Sequence, residues 1–404
     1  MNDRFTTPWA ELALSRFPRD PRDRLRAWDA SDDYLLRHLA VAEPPPTGAV
    51  VVVGDRWGAL TTALAARAAG AGTAPGGGAG TAPGGGAGTV TQITESFLTR
   101  EATRANLAAN GLDAGAVPLL TTRDAPPRRI DVLLVRVPKS LALLEDQLHR
   151  LAPALHRDTV VAGTGMVKEI HTSTLALFER IVGPTRTSRA ERKARLILTT
   201  PAGPDAERGA NPWPLRYELP GDAALVAGRP VVNHAGVFCA DRLDIGTRFF
   251  LRHLPAGPGL GRVVDLGCGN GVIGTAAALA DPDAEVLFTD ESYQAVASAE
   301  ATCRANGLAG RVEFRVGDGL DGVPSDSADL VLSNPPFHSH QATTDAIARR
   351  MFQGAKRVLR PGGELRIVGN RHLGYHVTLR RVFGNAELVA SDPKFVVLRA
   401  VRRG

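Results

Sequence analysis

Cysteine is scarce in this chain: Cys239, Cys268 and Cys303 are the only three in 404 residues. An odd number at such wide spacings excludes a disulfide framework, and no histidine or cysteine group has the spacing of metal ligands. No metal is therefore expected. Long apolar runs are also missing, so no segment is expected to cross a bilayer. The first residues, MNDRFTTPWAELALSRF, have no apolar core behind a basic start and do not read as a signal peptide. These absences point to a soluble, cytoplasmic chain with reduced thiols and no membrane partner. Acidic residues are fewer than basic ones, 42 against 48. That surplus suits an anionic partner such as nucleic acid, although it is small for this length.

The length itself suits two domains. The run Ala49 to Val53 ends at Gly54-Asp55 and leads into a helical pattern from Trp57 to Ala69, the strand-turn-helix opening of a doubly wound α/β sheet. Apolar spacing predicts further helices over Arg26 to Leu39, Leu141 to Leu155 and Thr172 to Val182. The octapeptide GTAPGGGA at 72–79 recurs unchanged at 80–87. Too poor in apolar residues to fold, it is expected to be a flexible insertion remote from any ligand.

A larger repeat organises the chain. Thr94-Glu95-Ser96 and Asn110-Gly111-Leu112 echo Thr289-Asp290-Glu291-Ser292 and Asn306-Gly307-Leu308, and Asp131 to Lys139 echoes Asp329 to Phe337 position for position. Two copies of one fold explain both. The Pro/Gly-rich stretch 201–214 then serves as a linker between a first domain, 1–200, and a second, 215–404. In the second, Ala224–Val226 and Val231–Asn233 suggest a hairpin. Strands at 262–265, 285–289, 311–316, 328–333 and 364–369 are interspersed with helices at 271–280, 292–305 and 345–359, and 386–391 with 395–401 closes the sheet antiparallel.

The chemistry concentrates in the second copy. In VVDLGCGNGVIG, Gly267, Gly269 and Gly271 allow a tight turn with close backbone approach at a helix N-terminus. The same residues satisfy the G-x-G-x-x-G of nicotinamide enzymes, a weak signal alone. Asp265, just before the first glycine, would repel a pyrophosphate but suits a cationic amino-acid group. Asp290 can accept two ribose hydroxyls, and Asp318 is placed for an adenine amine. Three acids at three successive strand ends point to S-adenosylmethionine. In Asn334-Pro335-Pro336-Phe337 the prolines fix the backbone, so the Pro335 carbonyl and the Asn334 side-chain oxygen can hold both hydrogens of a planar amine while Phe337 stacks on its ring. His338 and His340 read as loop residues at the substrate mouth. The first copy has lost this chemistry: GDRWG stands for DLGCGNG, and Arg136 and Lys139 for Asn334 and Phe337.

With these motifs the second domain resembles a class I methyltransferase. The whole chain, except the glycine repeat, resembles the bacterial ribosomal RNA guanine-N2 methyltransferases built from two tandem copies of that fold, the RsmC/RlmG family, and most closely its 23S rRNA branch. The segments carrying this likeness include AWDASDDYLL, RVPKSLALLEDQL, HAGVF, LDIGTRFF, NRHLGYH and KFVVLRAV. The fold class expected is therefore α/β, with two tandem class I methyltransferase-like, Rossmann-like doubly wound sheets, the first degenerate. The resemblance further implies 2-methylguanosine formation in 23S rRNA and a cofactor enclosed with help from Phe238, Asp244 and Thr247. It also implies a cofactor-free first domain that binds RNA or supports folding. Arg186, Arg189, Arg192, Lys193 and Arg195 are the expected RNA platform, and a monomer is favoured. Competing readings are methylation of a 16S rRNA guanine, of adenine N6 in DNA or of a protein glutamine, a non-catalytic RNA-binding protein, and a nicotinamide-dependent oxidoreductase.

Overall fold

The structure, a computed structural model, describes residues 3–19, 23–43, 46–70, 88–203, 206–255, 257–336 and 341–404, with backbone alone for 341–345. The duplicated octapeptide, Phe337, His338 and His340 lie outside these residues. The chain divides into two compact units, Met1–Pro212 and Trp213–Gly404, a division that falls inside the 201–214 stretch.

The first unit opens with a hairpin of β1 (Arg4–Thr6) and β2 (Glu11–Ala13), followed by α1 (Ala30–Ala40). Its sheet is built from β3 (Val50–Val53), β4 (Val90–Thr94), β5 (Leu119–Thr121), β6 (Ile130–Arg136) and β7 (Leu155–Met166), with β8 (Thr185–Thr187) and β9 (Ala194–Thr199) last. Helices α2 (Ala59–Gly70), α3 (Phe97–Ala109), α4 (Leu141–Leu151) and α5 (Thr172–Ile181) complete it. The strand order is β5-β4-β3-β6-β7-β9-β8. Four consecutive valines in β3 are all buried, as a central parallel strand covered on both faces requires. On one face Val50, Val52 and Leu134 pack with Leu35 and Leu60. On the other, Val51, Leu133 and Ile197 pack with Leu144 and Phe178.

The second unit begins with β10 (Leu215–Glu218), β11 (Pro230–Asn233) and α6 (Ile245–Leu251). There follow β12 (Arg262–Leu266), α7 (Val272–Ala280), β13 (Glu285–Asp290), α8 (Tyr293–Ala305), β14 (Val312–Val316) and β15 (Ala328–Ser333). The unit ends with α9 (Gln341–Val358), β16 (Leu359–Asn370), α10 (Tyr375–Phe383), β17 (Glu387–Ser391) and β18 (Phe395–Val401). Its order, β14-β13-β12-β15-β16-β18-β17, repeats that of the first unit strand for strand. Five strands run parallel and β18 returns antiparallel. All five parallel strands therefore deliver their carboxyl ends to one edge, where ligands bind in such sheets.

Several elements differ from the sequence expectation. The expected hairpin partner Ala224–Val226 is a single 3-10 turn, and β11 pairs instead with β10. Three residues are too few for alternation to separate strand from turn, and here Ala223 and Val226 bury together. The helix at Leu141 ends at Leu151, where Pro153 opens a 3-10 turn. Neither β7 nor the β1–β2 hairpin was expected, since the mixed polar run HRDTVVAGTGM and two three-residue strands carry little periodic signal.

Candidate active site

The glycine turn after β12 holds its backbone in the left-handed region at Gly267, Gly269 and Gly271, with φ of 72°, 53° and 79°. The carboxylate of Asp290, at the end of the neighbouring β13, fastens this turn. One of its oxygens accepts the Gly269 N–H at 3.0 Å and the other accepts the Ser292 N–H at 3.0 Å. Burial pushes the Asp290 carboxyl above its ordinary value. The glycines do different work. A Cβ at Gly269 would meet nothing within 4 Å among the described residues, so the turn has open space over it. At Gly271 a Cβ would lie 2.8 Å from the Ala299 Cα, so this glycine lets α7 pack against α8.

Asp265 lies beneath the turn, fully buried. Its Oδ2 accepts the Gly274 N–H at 2.8 Å in the first turn of α7. Its Oδ1 is buried with no hydrogen-bond partner among the described residues. Burial lifts this carboxyl to about 8. The residue thus anchors the helix start and leaves one carboxyl oxygen below the glycines without a partner among the described residues.

Asn334 follows β15 directly, and Ser333 ties that strand end to β12 by donating its Oγ to the Leu266 carbonyl at 2.7 Å. The Asn334 amide nitrogen donates to Thr247 Oγ1 at 3.0 Å and, more weakly, to Asp244 Oδ2 at 3.3 Å. Asp244 is the N-cap of α6 and also accepts the Thr247 N–H at 2.8 Å. With both amide hydrogens drawn toward α6, the Asn334 Oδ1 is a buried acceptor that no described residue satisfies. Pro335 beside it is buried. Asp244 and Thr247, which resemblance placed around the cofactor, are here in contact with Asn334.

Asp318 is held by a fork of two bonds from Arg350 on α9, at 2.9 and 3.1 Å. Burial lifts its carboxyl, opposed by the Arg350 charge. Phe238 is 51% exposed. Arg350 was missed by the sequence reading, because a contact spanning so many residues leaves no local pattern. Asn270 was missed too. It lies in the glycine turn and donates to the Asn233 Oδ1 at 3.0 Å, and Asn233 is fully buried.

The equivalent place in the first unit is filled by its own side chains. Asp131 accepts the Ala49 N–H there as Asp329 accepts the Arg262 N–H here, both at 2.8 Å. By that register Val52 holds the position equivalent to Asp265, Arg56 to Gly269, Trp57 to Asn270, Thr94 to Asp290 and Arg136 to Asn334. Arg136 is 1% exposed and pairs with Asp29 at 2.7 Å, Glu169 at 3.0 Å and Asp32 at 3.4 Å. Asp29 caps α1 as Asp244 caps α6. Arg56 joins the cluster through Glu169 at 2.8 Å. Burial would raise the Glu169 carboxyl, but the two guanidiniums hold it down at about 2. Burial lifts that of Asp32 to about 7 despite Arg136.

The basic run of this unit forms the β8–β9 hairpin. Glu191 and Ala194 exchange backbone hydrogen bonds around a two-residue turn, Arg192-Lys193, in which both residues have positive φ, 46° and 65°. Such a turn favours Asn-Gly, so a cationic pair there is strained. Arg186, Arg189, Arg192 and Lys193 are exposed, whereas Arg195 is half-buried within β9. Arg192 lies 3.5 Å from Asp33, and the neighbouring Glu191 pairs with Arg37 at 2.7 Å.

Strand order, the glycine turn and an acceptor-bearing asparagine after the fourth strand define the second unit as a class I methyltransferase domain. Comparisons agree. The family model for the methyltransferase small domain matches residues 228–399, and that for the RLMG N-terminal domain matches residues 2–73 and 84–203. The protein named ribosomal RNA large subunit methyltransferase G of Streptomyces coelicolor is 71% identical over 397 residues, covering 98% of this chain and all of that one. Its namesake in Aeromonas hydrophila is 45% identical over 401 residues, covering 98% of each. Among solved structures, the T. thermophilus 16S rRNA N2 methyltransferase RsmC in complex with AdoMet and guanosine shares the fold. Its TM-score is 0.71 at 21% identity, with 99% of this chain and 97% of that chain covered. The chain belongs to the ribosomal RNA large subunit methyltransferase G family.

Proposed function

We propose that the protein transfers a methyl group from S-adenosylmethionine to the exocyclic N2 of a guanine in 23S rRNA, giving 2-methylguanosine. The observation that carries this reading is the Asn334 amide. Its nitrogen is committed to Thr247 and Asp244, so its oxygen is left to accept from a substrate amine. An amine held by that oxygen and the Pro335 carbonyl has both hydrogens engaged, which draws its lone pair out of conjugation and orients it for attack.

The residues present fit the cofactor. The open space over Gly269 admits a ligand against the backbone, and a cationic group bound there would draw the Asp265 carboxyl beneath the turn into its charged form. Asp290 would hold the ribose hydroxyls, Gly267 and Gly269 would admit the amino-acid portion, and Asp318 would face the adenine. When bound, this group supplies an electrophilic methyl whose leaving thioether is neutral, so the protein need provide no general acid. What the chain contributes is placement and a polarised amine.

The first unit serves the reaction without a cofactor of its own. Support comes from the Arg136–Arg56–Glu169–Asp29 cluster standing where the second unit has its glycine turn and asparagine. Its exposed hairpin cations, Arg186, Arg189, Arg192 and Lys193, suit phosphate contacts. The test is incubation of the full chain with labelled S-adenosylmethionine and unmodified 23S rRNA, 16S rRNA, DNA or a glutamine-bearing protein. Label in N2-methylguanosine from 23S rRNA alone supports the reading. Label in adenine or glutamine would replace it.

A further inference from the structure

Asn370 ends β16, the strand next to β15, and its side-chain oxygen is buried with no hydrogen-bond partner among the described residues. It has the position of an N-cap, before the 3-10 turn Arg371–Leu373, yet makes no capping bond. The ordinary structural use of such a residue is therefore absent. A buried acceptor left unmade is costly, so its retention calls for a partner that arrives from outside.

Its place in the sheet says which partner. Ser333 is level with Ile367, so Asn334 is level with Val368 and Asn370 stands two residues further along the adjacent parallel strand. Side chains alternate along strands. Leu332 and Val368 face the same core, with Phe250 of α6, and Asn334 and Asn370 share the parity of Leu332 and Val368 respectively. Phe395, the register partner of Asn370, reaches within 3.0 Å of where a Cβ on Gly246 would lie, one residue from Thr247. The two asparagines thus occupy one face of the sheet beside the start of α6, with Cα atoms roughly 8 Å apart from strand spacing and rise.

Resting on the guanine reading above, we propose that Asn370 is a specificity-determining residue whose side-chain oxygen accepts the ring N1–H of the target guanine. Guanine alone among the amine-bearing bases carries a ring donor next to its amine. Adenine and cytosine present a lone pair at that position, and a glutamine amide presents nothing. An acceptor at Asn370 rewards guanine, opposes the lone pair of adenine or cytosine and stays unpaired with a glutamine amide, the kind of polar mismatch by which enzymes discriminate most strongly.

The full-length protein, with S-adenosylhomocysteine present, is titrated with guanosine and with 2-aminopurine riboside. Both carry the 2-amine, but the second has a lone pair at N1. We expect the wild type to favour guanosine by at least about tenfold, a margin that Asn370→Ala narrows to within about threefold and Asn370→Asp, which keeps an acceptor, preserves. A wild type that binds the two nucleosides equally, or an Asn370→Ala protein that weakens both by the same factor, would overturn the proposal. Methylation of a 23S rRNA transcript by the same preparations separates the two levels. If N2-methylguanosine forms while the nucleoside preference is unmoved by Asn370→Ala, only the role of Asn370 fails. If no N2-methylguanosine forms, the reaction proposed above fails with it.

Discussion

An amide side chain has a donating end and an accepting end, and its own shape does not decide which end meets a ligand. At Asn334 the neighbours decide: Thr247 and Asp244 take the nitrogen, and the oxygen is left over. Removing that oxygen should therefore affect the reaction more than the cofactor. For Asn334→Ala we expect turnover to fall by about a hundred- to a thousandfold with the S-adenosylmethionine dissociation constant changed by less than about threefold. Asp290→Ala should show the opposite order in the same calorimetric and initial-rate assays, losing cofactor affinity first. Asp265 permits a test by pH. Its carboxyl is lifted from an ordinary 3.8 to about 8, so the protonated form is the one the fold favours. Stability from this source is complete below 3.8 and is lost as pH rises through 8. Thermal melts of the ligand-free protein should show Asp265→Asn gaining on the wild type between pH 6 and 9, by roughly 2–4 °C for each kcal/mol relieved. A constant difference across that range would mean the carboxyl is ionised throughout.

At the scale of elements, one strand-turn-helix unit ends in a glycine turn in the second sheet and in a buried ion cluster in the first. The first closes its pocket with Arg136 and Arg56 against Asp29, Asp32 and Glu169. Breaking such a buried cluster from one side leaves carboxylates uncompensated, and Arg136→Ala should cost about 3–5 kcal/mol near neutral pH, read as a lowered unfolding midpoint. Glu169 is held below its ordinary 4.5, so its contribution is present above that value and fades as pH falls toward 2. The loss in Arg136→Ala should shrink accordingly at acid pH. Most of this architecture was legible beforehand, because it rests on local pattern: a valine run for a buried strand, apolar spacing for helices, and a repeat of Asp131 to Lys139 in Asp329 to Phe337. What was not legible rests on distance in sequence. The bond from Asn334 to Thr247 spans 87 residues and the Arg350 fork on Asp318 spans 32. No window of periodicity reaches that far, and both roles turned on it. The strain at Arg192-Lys193 was hidden for another reason, since two cations in a basic run give no sign that they form a turn. Lys193→Gly should relieve up to about 1 kcal/mol of that strain, read as a raised unfolding midpoint.

For the molecule as a whole, we propose that the first unit binds RNA and the second carries out the chemistry on one base. That division separates two observables. Neutralising Arg186, Arg189, Arg192 and Lys193 should weaken RNA binding evenly across sequences. It should also lower the salt slope by about 0.7–0.9 for each phosphate that no longer meets a cation, measured as affinity against salt concentration. Asn334→Ala should leave that slope untouched. The measurement bearing most directly on the amine clamp is the nucleoside composition of 23S rRNA after incubation with the full chain and labelled S-adenosylmethionine, wild type beside Asn334→Ala. We expect the label in N2-methylguanosine with the wild type and nearly none with the variant, at equal cofactor binding. Label on any other base or atom, or undiminished label with Asn334→Ala, would contradict it.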